Sequence, residues 1–252
     1  MGQGLIALAP ALVIMLGADV GSSLMALVLS FDLSWLSPLL ILVGVVMFIG
    51  WQSASAGRLG RVLIGFGLII HALQLIVLAT RPLTEAAGVR TLFAALTGDP
   101  LLDLVVGAVF ALLFYSSLAV VLLTATLAGS GLIAMPVALG LVLGANLGSG
   151  LLGVISTLHS PREGRRLPLG NLLFKLAGCV VFVPLLAPLH DWLAHLAGAR
   201  QQMVVGFHLL FNLAIAAGFL AFTAPVARLA ERLLPVAPNN DDPAAPRHLD
   251  ES

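Results

Sequence analysis

The sequence predicts an all-α polytopic membrane protein, an inverted-repeat transporter with broken helices and a re-entrant hairpin, and three observations carry that prediction. Of its residues 60% are hydrophobic and only 10% charged, with a mean hydropathy of +1.08; soluble domains carry charge at roughly a quarter of positions. Several apolar segments approach the ~20 residues that a helix needs to cross a bilayer. Two further apolar segments are interrupted midway by matching runs, Gly17-Ala18-Asp19-Val20-Gly21-Ser22 and Gly144-Ala145-Asn146-Leu147-Gly148-Ser149.

Taken in order, residues 5–30 form the first interrupted helix, with its break from Gly17 to Ser23. No cleavable signal is expected there, because the first residues carry no positive charge and Pro10 divides the apolar run. Residues 37–52 and 62–79 read as spans, with a solvated loop around Gln52 and Ser53 beside Arg58. Residues 101–130 are apolar with Tyr115-Ser116-Ser117 at their centre. Two full crossings need about 40 residues, so the stretch is expected to be a re-entrant hairpin with an unwound tip. Residues 132–158 hold the second break, and residues 167–189 and 203–226 are spans. Residues 235–252 are rich in Pro, Asn, Asp and Ala and read as a disordered cytoplasmic tail.

Arginine fixes the expected orientation, since cytoplasmic loops collect positive charge. With Arg58 and Arg61 inside, this order of crossings also leaves Arg162, Arg165, Arg166, Arg228, Arg232 and Arg247 inside, against Arg81, Arg90 and Arg200 outside. The chain then reads as a multi-pass protein of the inner cell membrane with a cytoplasmic C-terminus. The two interrupted helices cross in opposite senses, which divides the chain into repeats at 1–100 and 101–234. Such repeats place substrate and ion sites where discontinuous helices meet at the bilayer midplane. The echo of Leu172-Leu173-Phe174-Lys175-Leu176 in Leu209-Leu210-Phe211-Asn212-Leu213 supports duplication.

The glycines Gly17, Gly21, Gly144 and Gly148 would permit unwinding, and Asp19, Ser22, Ser23, Asn146 and Ser149 would add hard oxygen ligands there. Close packing of small residues is the competing explanation of the same runs. Asp19 and Lys175 stand out, because an ionised side chain at membrane depth costs at least about 2.5–3.5 kcal/mol unless paired or wetted. Lys175, the sole lysine, either snorkels to the nearby face, pairs with Asp19, or holds an anion. Ser116 and Ser117 would present hydroxyls and free amides at the hairpin tip, unless they bond back to their own helix.

Other classes find no support. A zero formal net charge and the lack of a basic stripe with interleaved aromatics argue against nucleic acid. The lone Cys179 has no partner for a disulfide or thiolate site. His71 and His208 have no second His or carboxylate three or four residues away, so both read as packing residues. No hydrolase or metalloprotease motif and no second deep carboxylate suggest an enzyme.

At these residues the chain resembles the sodium-dependent phosphate cotransporter family, whose repeats each carry a Gln-Ser-Ser-Ser hairpin tip and a Gly-Ala-Asn-x-Gly-Thr-Thr break. Gly144 to Ser149 matches the second break, and Gly17 to Ser23 matches the first with Asp19 for Asn. Residues 63–73, 165–174 and 208–212 resemble further helices of the family, the last ending at Asn212. The resemblance implies sodium-coupled symport of inorganic phosphate, with sodium as the coupling ion at Asp19 and Asn146 and no other cofactor. It also shows departures. A first hairpin would precede Gly17, leaving the first repeat N-terminally incomplete; Tyr115 and Leu118 replace the tip's Gln and third Ser; Lys175 replaces an expected Asn. A fixed Lys175 ammonium would occupy space where a cation otherwise binds. The alternative is a degenerate or truncated relative that no longer transports and acts as a membrane assembly or regulatory partner, and a dimer would otherwise complete the site.

Overall fold

The computed structural model describes residues 7–31, 35–50, 55–88, 91, 99–194 and 199–235. The loop at 51–54, Arg90, Arg247 and the tail beyond residue 235 lie outside them. The long elements among the described residues are α-helices: α1 (Leu8–Ser30), α2 (Leu36–Gly50), α3 (Ser55–Glu85), α4 (Pro100–Leu113), α5 (Ser117–Gly129), α6 (Met135–Ser156), α7 (Arg162–Ala194), α8 (Arg200–Phe219) and, after a single 3-10 turn, α9 (Thr223–Leu233). Four stretches are long and apolar enough to cross a membrane: α1, α6, residues 162–192 of α7, and α8 continuing through α9. Helix α2 has 15 residues within the described ones, about 22 Å against a hydrocarbon core of about 30 Å.

The expected breaks are absent. Helix α1 runs unbroken through Gly17 and Gly21, and α6 through Gly144 and Gly148. In apolar surroundings a continuous helix satisfies every backbone amide and carbonyl within itself, which an unwound stretch cannot do unaided. The glycines of α6 have another use. A Cβ on Gly144 would fall on the carbonyl oxygen of Leu104 and 2.8 Å from the Ala108 nitrogen, and one on Gly148 would lie 2.6 Å from the Ala108 carbonyl oxygen. Gly107 likewise faces the Leu141 backbone. The contact partners rise together in sequence, so α4 and α6 pack parallel and almost backbone to backbone, the small-residue packing typical of membrane helices.

A turn between α4 and α5 falls at Tyr115, where the sequence expects the hairpin tip. Asp99 caps α4, its carboxylate accepting from the amides of Leu101 and Leu102, with Pro100 in the first turn. At the other end Tyr115 N–H donates to Leu112 and Ser116 N–H to Ala111, the Schellman pattern, with Tyr115 at φ 52°. The same pattern ends α5 with Gly131 at φ 75°. Glycine adopts that conformation freely; an L side chain there costs about 1–2 kcal/mol. Ser116 then caps α5 by accepting from the Ala119 amide at 3.1 Å.

The core lies among α1 and α4 to α9, where Leu12, Leu139, Leu141, Leu143, Phe174 and Phe211 are fully buried. Phe182 meets Phe211 edge to face, with ring centroids 5.1 Å apart, where α7 crosses α8. Helices α2 and α3 pack mainly on each other, with Gly44 against Gly60, and Ser37 donates across the pair to the Gly67 carbonyl. The start of α7 and the end of α9 share one face: Arg162 and Arg166 donate to the carbonyls of Pro235 and Leu234, satisfying a helix end that lacks intrahelical partners.

Candidate functional site

Asp19 lies halfway along α1 and Asn146 halfway along α6, and between them α7 inserts Lys175. The lysine does not snorkel. It is only 3% exposed, and its Nζ donates to Asp19 Oδ1 at 2.9 Å and to Ser149 Oγ at 2.7 Å. Gly150 makes room for the long stem: a Cβ there would meet Lys175 Cδ at 3.3 Å and Leu172 Cα at 3.2 Å. Of the three alternatives for Lys175, pairing with Asp19 is the one present, and it neutralises two charges that the bilayer would otherwise penalise separately.

Ser149 links this ion pair to a second group. Its single proton goes to the Asn146 carbonyl at 2.7 Å, so its oxygen is left to accept from the ammonium. The Asn146 amide nitrogen serves Val142 O at 2.9 Å and His208 Nδ1 at 3.0 Å, while its Oδ1 accepts from Asn212 Nδ2 at 3.0 Å. Asn212 sends its other proton to His208 O at 2.8 Å. With both Asn212 protons placed, His208 Nδ1 is an acceptor for Asn146, which assigns the ring proton to Nε2. One chain of bonds thus runs from α1 through α7 and α6 to α8.

Other expected site residues stand apart from that chain. Ser22 and Ser23 donate to the carbonyls of Asp19 and Val20 in their own helix. Ser116 is engaged as a cap, and Ser117 follows it at the partly exposed hairpin tip. Gly17 and Gly21 face open space.

The buried polar residues outside the set expected from the sequence include His208, Asp103 and Asn171. His208 is buried and hydrogen-bonded to Asn146 and Asn212 rather than only packed, and its signal was the spacing to Asn212: residues four apart share a helix face. Asp103, in the first turn of α4, is fully buried against Gly140, with neither oxygen hydrogen-bonded among the described residues. Asn171, one turn before Lys175 on α7, is also buried and its Oδ1 has no hydrogen-bond partner there.

The residues expected to hold sodium do not fit it as arranged. Asp19 already neutralises an ammonium, and the side-chain oxygen and amide of Asn146 are committed to neighbours. A second cation about 5 Å from Nζ would be repelled by roughly 3 kcal/mol at an effective dielectric constant near 20.

A family model described as Na+/Pi-cotransporter matches residues 1–77 and 80–217. The chain is 51% identical over 252 residues to proteins named "Putative inorganic phosphate export protein YjbB" from Escherichia coli (strain K12) and Salmonella typhimurium, covering 100% of this chain and 46% of each relative. It thus spans about half the length of these curated relatives. It is 22% identical over 220 residues to "Uncharacterized protein YqeW" from Bacillus subtilis (strain 168), covering 87% of this chain and 71% of that protein. No solved structure matches.

Proposed function

Because the chain belongs to the Na+/Pi-cotransporter family, we propose that it forms the transport unit of a multi-pass carrier moving inorganic phosphate across the cell membrane, with the Lys175 centre as its anion site. The observation that carries this reading is a buried ammonium at the middle of an apolar bundle, with two of its three protons donated to Asp19 and Ser149. The third donates to no described residue and is available to a phosphate oxygen, and charge-assisted bonds of this type are the strong ones. Asp19, at 22% exposure, marks the side from which the ammonium is approached. The short helices α4 and α5 joined at Tyr115 suit a re-entrant hairpin, being about 20 Å long each. The inverted repeat of 1–100 and 101–234 would supply alternating access about this centre.

Sodium-driven import is the finer form implied by the family, and outward movement is the form suggested by the names of the relatives in Escherichia coli and Salmonella typhimurium. The test is flux of radiolabelled phosphate in proteoliposomes, measured in both directions. Wild type is expected to carry phosphate, and Lys175→Met and Asn146→Ala to lose at least tenfold. Absence of flux from correctly folded wild-type protein would favour the non-transporting membrane partner instead.

A further inference from the structure

We infer that the Lys175 ammonium is a covalently attached substitute for a coupling cation, filling a latent monovalent-cation site, so that the anion moves without sodium. The inference rests on the phosphate-carrier reading for its transport consequence, but the cation site stands on geometry alone. A cation site at membrane depth needs a carboxylate or several hard oxygens converging on one point. Asp19 Oδ1 and Ser149 Oγ converge, at 2.9 and 2.7 Å, on an atom that carries one positive charge. That atom is Lys175 Nζ. The hydroxyl of Ser149 is held in the accepting orientation by its own bond to Asn146 O, as a cation ligand would have to be. Asn171, with its unpartnered buried Oδ1, lies on the same face of α7 one turn away. Gly150 clears the passage for the lysine stem, so the position is shaped around the tethered charge.

Two consequences follow from charge balance. With Lys175 present, Asp19 is neutralised permanently, and the sodium gradient has no carboxylate to act on at this place. With Lys175 shortened, Asp19 and Ser149 lose their positive partner but keep their positions, leaving an anionic oxygen cage beside the space the stem occupied. A small hard monovalent cation is the natural occupant of such a cage. Lys175→Ala is therefore expected to gain sodium dependence, whereas Asp19→Asn/Lys175→Met, which removes both charges together, is not.

The experiment uses the intact protein in lipid nanodiscs and proteoliposomes, comparing sodium chloride with choline chloride at equal ionic strength. Thermal unfolding reports cation binding irrespective of transport. Wild type and the double variant should unfold at the same temperature in both salts, and Lys175→Ala at a higher temperature in sodium. Phosphate flux should be within twofold in the two salts for wild type, and at least fivefold greater in sodium for Lys175→Ala. Sodium-specific stabilisation of wild type, or sodium-dependent wild-type flux, overturns the inference while leaving phosphate carriage intact. So does a Lys175→Ala protein that folds and ignores sodium. If correctly folded wild type carries no phosphate in either salt but the unfolding pattern holds, the carrier reading fails and the cation-site inference survives. Should Lys175→Ala not fold, Lys175→Ser provides a second shortened side chain, and the wild-type comparison decides on its own.

Discussion

Replacing Gly144 and Gly17 by alanine, one at a time, separates two uses of the same motif. At Gly144 the added methyl would fall on the Leu104 carbonyl oxygen and 2.8 Å from the Ala108 nitrogen. Both are backbone atoms, so no rotamer change relieves the clash, and the helices α4 and α6 must separate. Overpacking of this kind costs about 1–3 kcal/mol, against which alanine returns about 0.5–1 kcal/mol of helix propensity. A net loss of roughly 1 kcal/mol is expected for Gly144→Ala from these opposing terms. At Gly17 nothing lies within 4 Å of the new methyl, so only the propensity gain remains, about 0.5–1 kcal/mol. The propensity gain is common to both, so the two variants should differ by the overpacking cost alone, about 2 kcal/mol. Equilibrium unfolding in mixed micelles, followed by tryptophan fluorescence and far-UV circular dichroism, measures both. The opposite ranking, a tolerated Gly144→Ala and a damaging Gly17→Ala, would show that the glycines serve unwinding and would refute the packing argument.

Three further outcomes are expected. Tyr115→Gly relieves the positive φ at the hairpin tip and should raise unfolding free energy by about 1 kcal/mol in the same assay; no change would mean that the turn relaxes by other means. Asn146→Ala and Asn212→Leu each strand buried partners of the other, so a double-mutant cycle should return a coupling of about 0.5–3 kcal/mol, and strict additivity would dissolve the proposed bond chain. Asp103→Ala removes two buried oxygens that lack partners among the described residues, and should stabilise the protein by about 1–3 kcal/mol; a loss would reveal that the carboxylate holds a ligand.

Much of the fold was legible because the membrane leaves few alternatives: apolar length located the long helices, and the polar triplet Tyr115-Ser116-Ser117 located the turn. The pairing of Asp19 with Lys175 was legible for the same reason, since each charge needed compensation at depth. The continuity of α1 and α6 was not. A Gly-Ala-Asx-x-Gly run is compatible with unwinding or close packing, and only the identity of the neighbour decides. Gly144 meets the backbone of α4, which no local pattern reveals, while Gly17 meets nothing. His208 was not legible because its partner is an amide four residues away, a spacing that carries no metal-ligand signature. Asp103 escaped because a single acid barely lowers the hydropathy of so apolar a stretch.

The contact between α4 and α6 bears on how such a bundle can move. Sliding of packed helices ordinarily takes place across a layer of side chains that exchange rotamers as they pass. Gly107, Gly144 and Gly148 leave no such layer, and carbonyl groups of each helix sit where methyl groups of the other would collide. Shear is thereby blocked along this seam. Helix α4 and the helix bearing Asn146 and Ser149 therefore form a single stiff piece, and relative movement within the bundle falls to the seams of α6 with α5, α7 and α8, where aromatic and aliphatic side chains can repack.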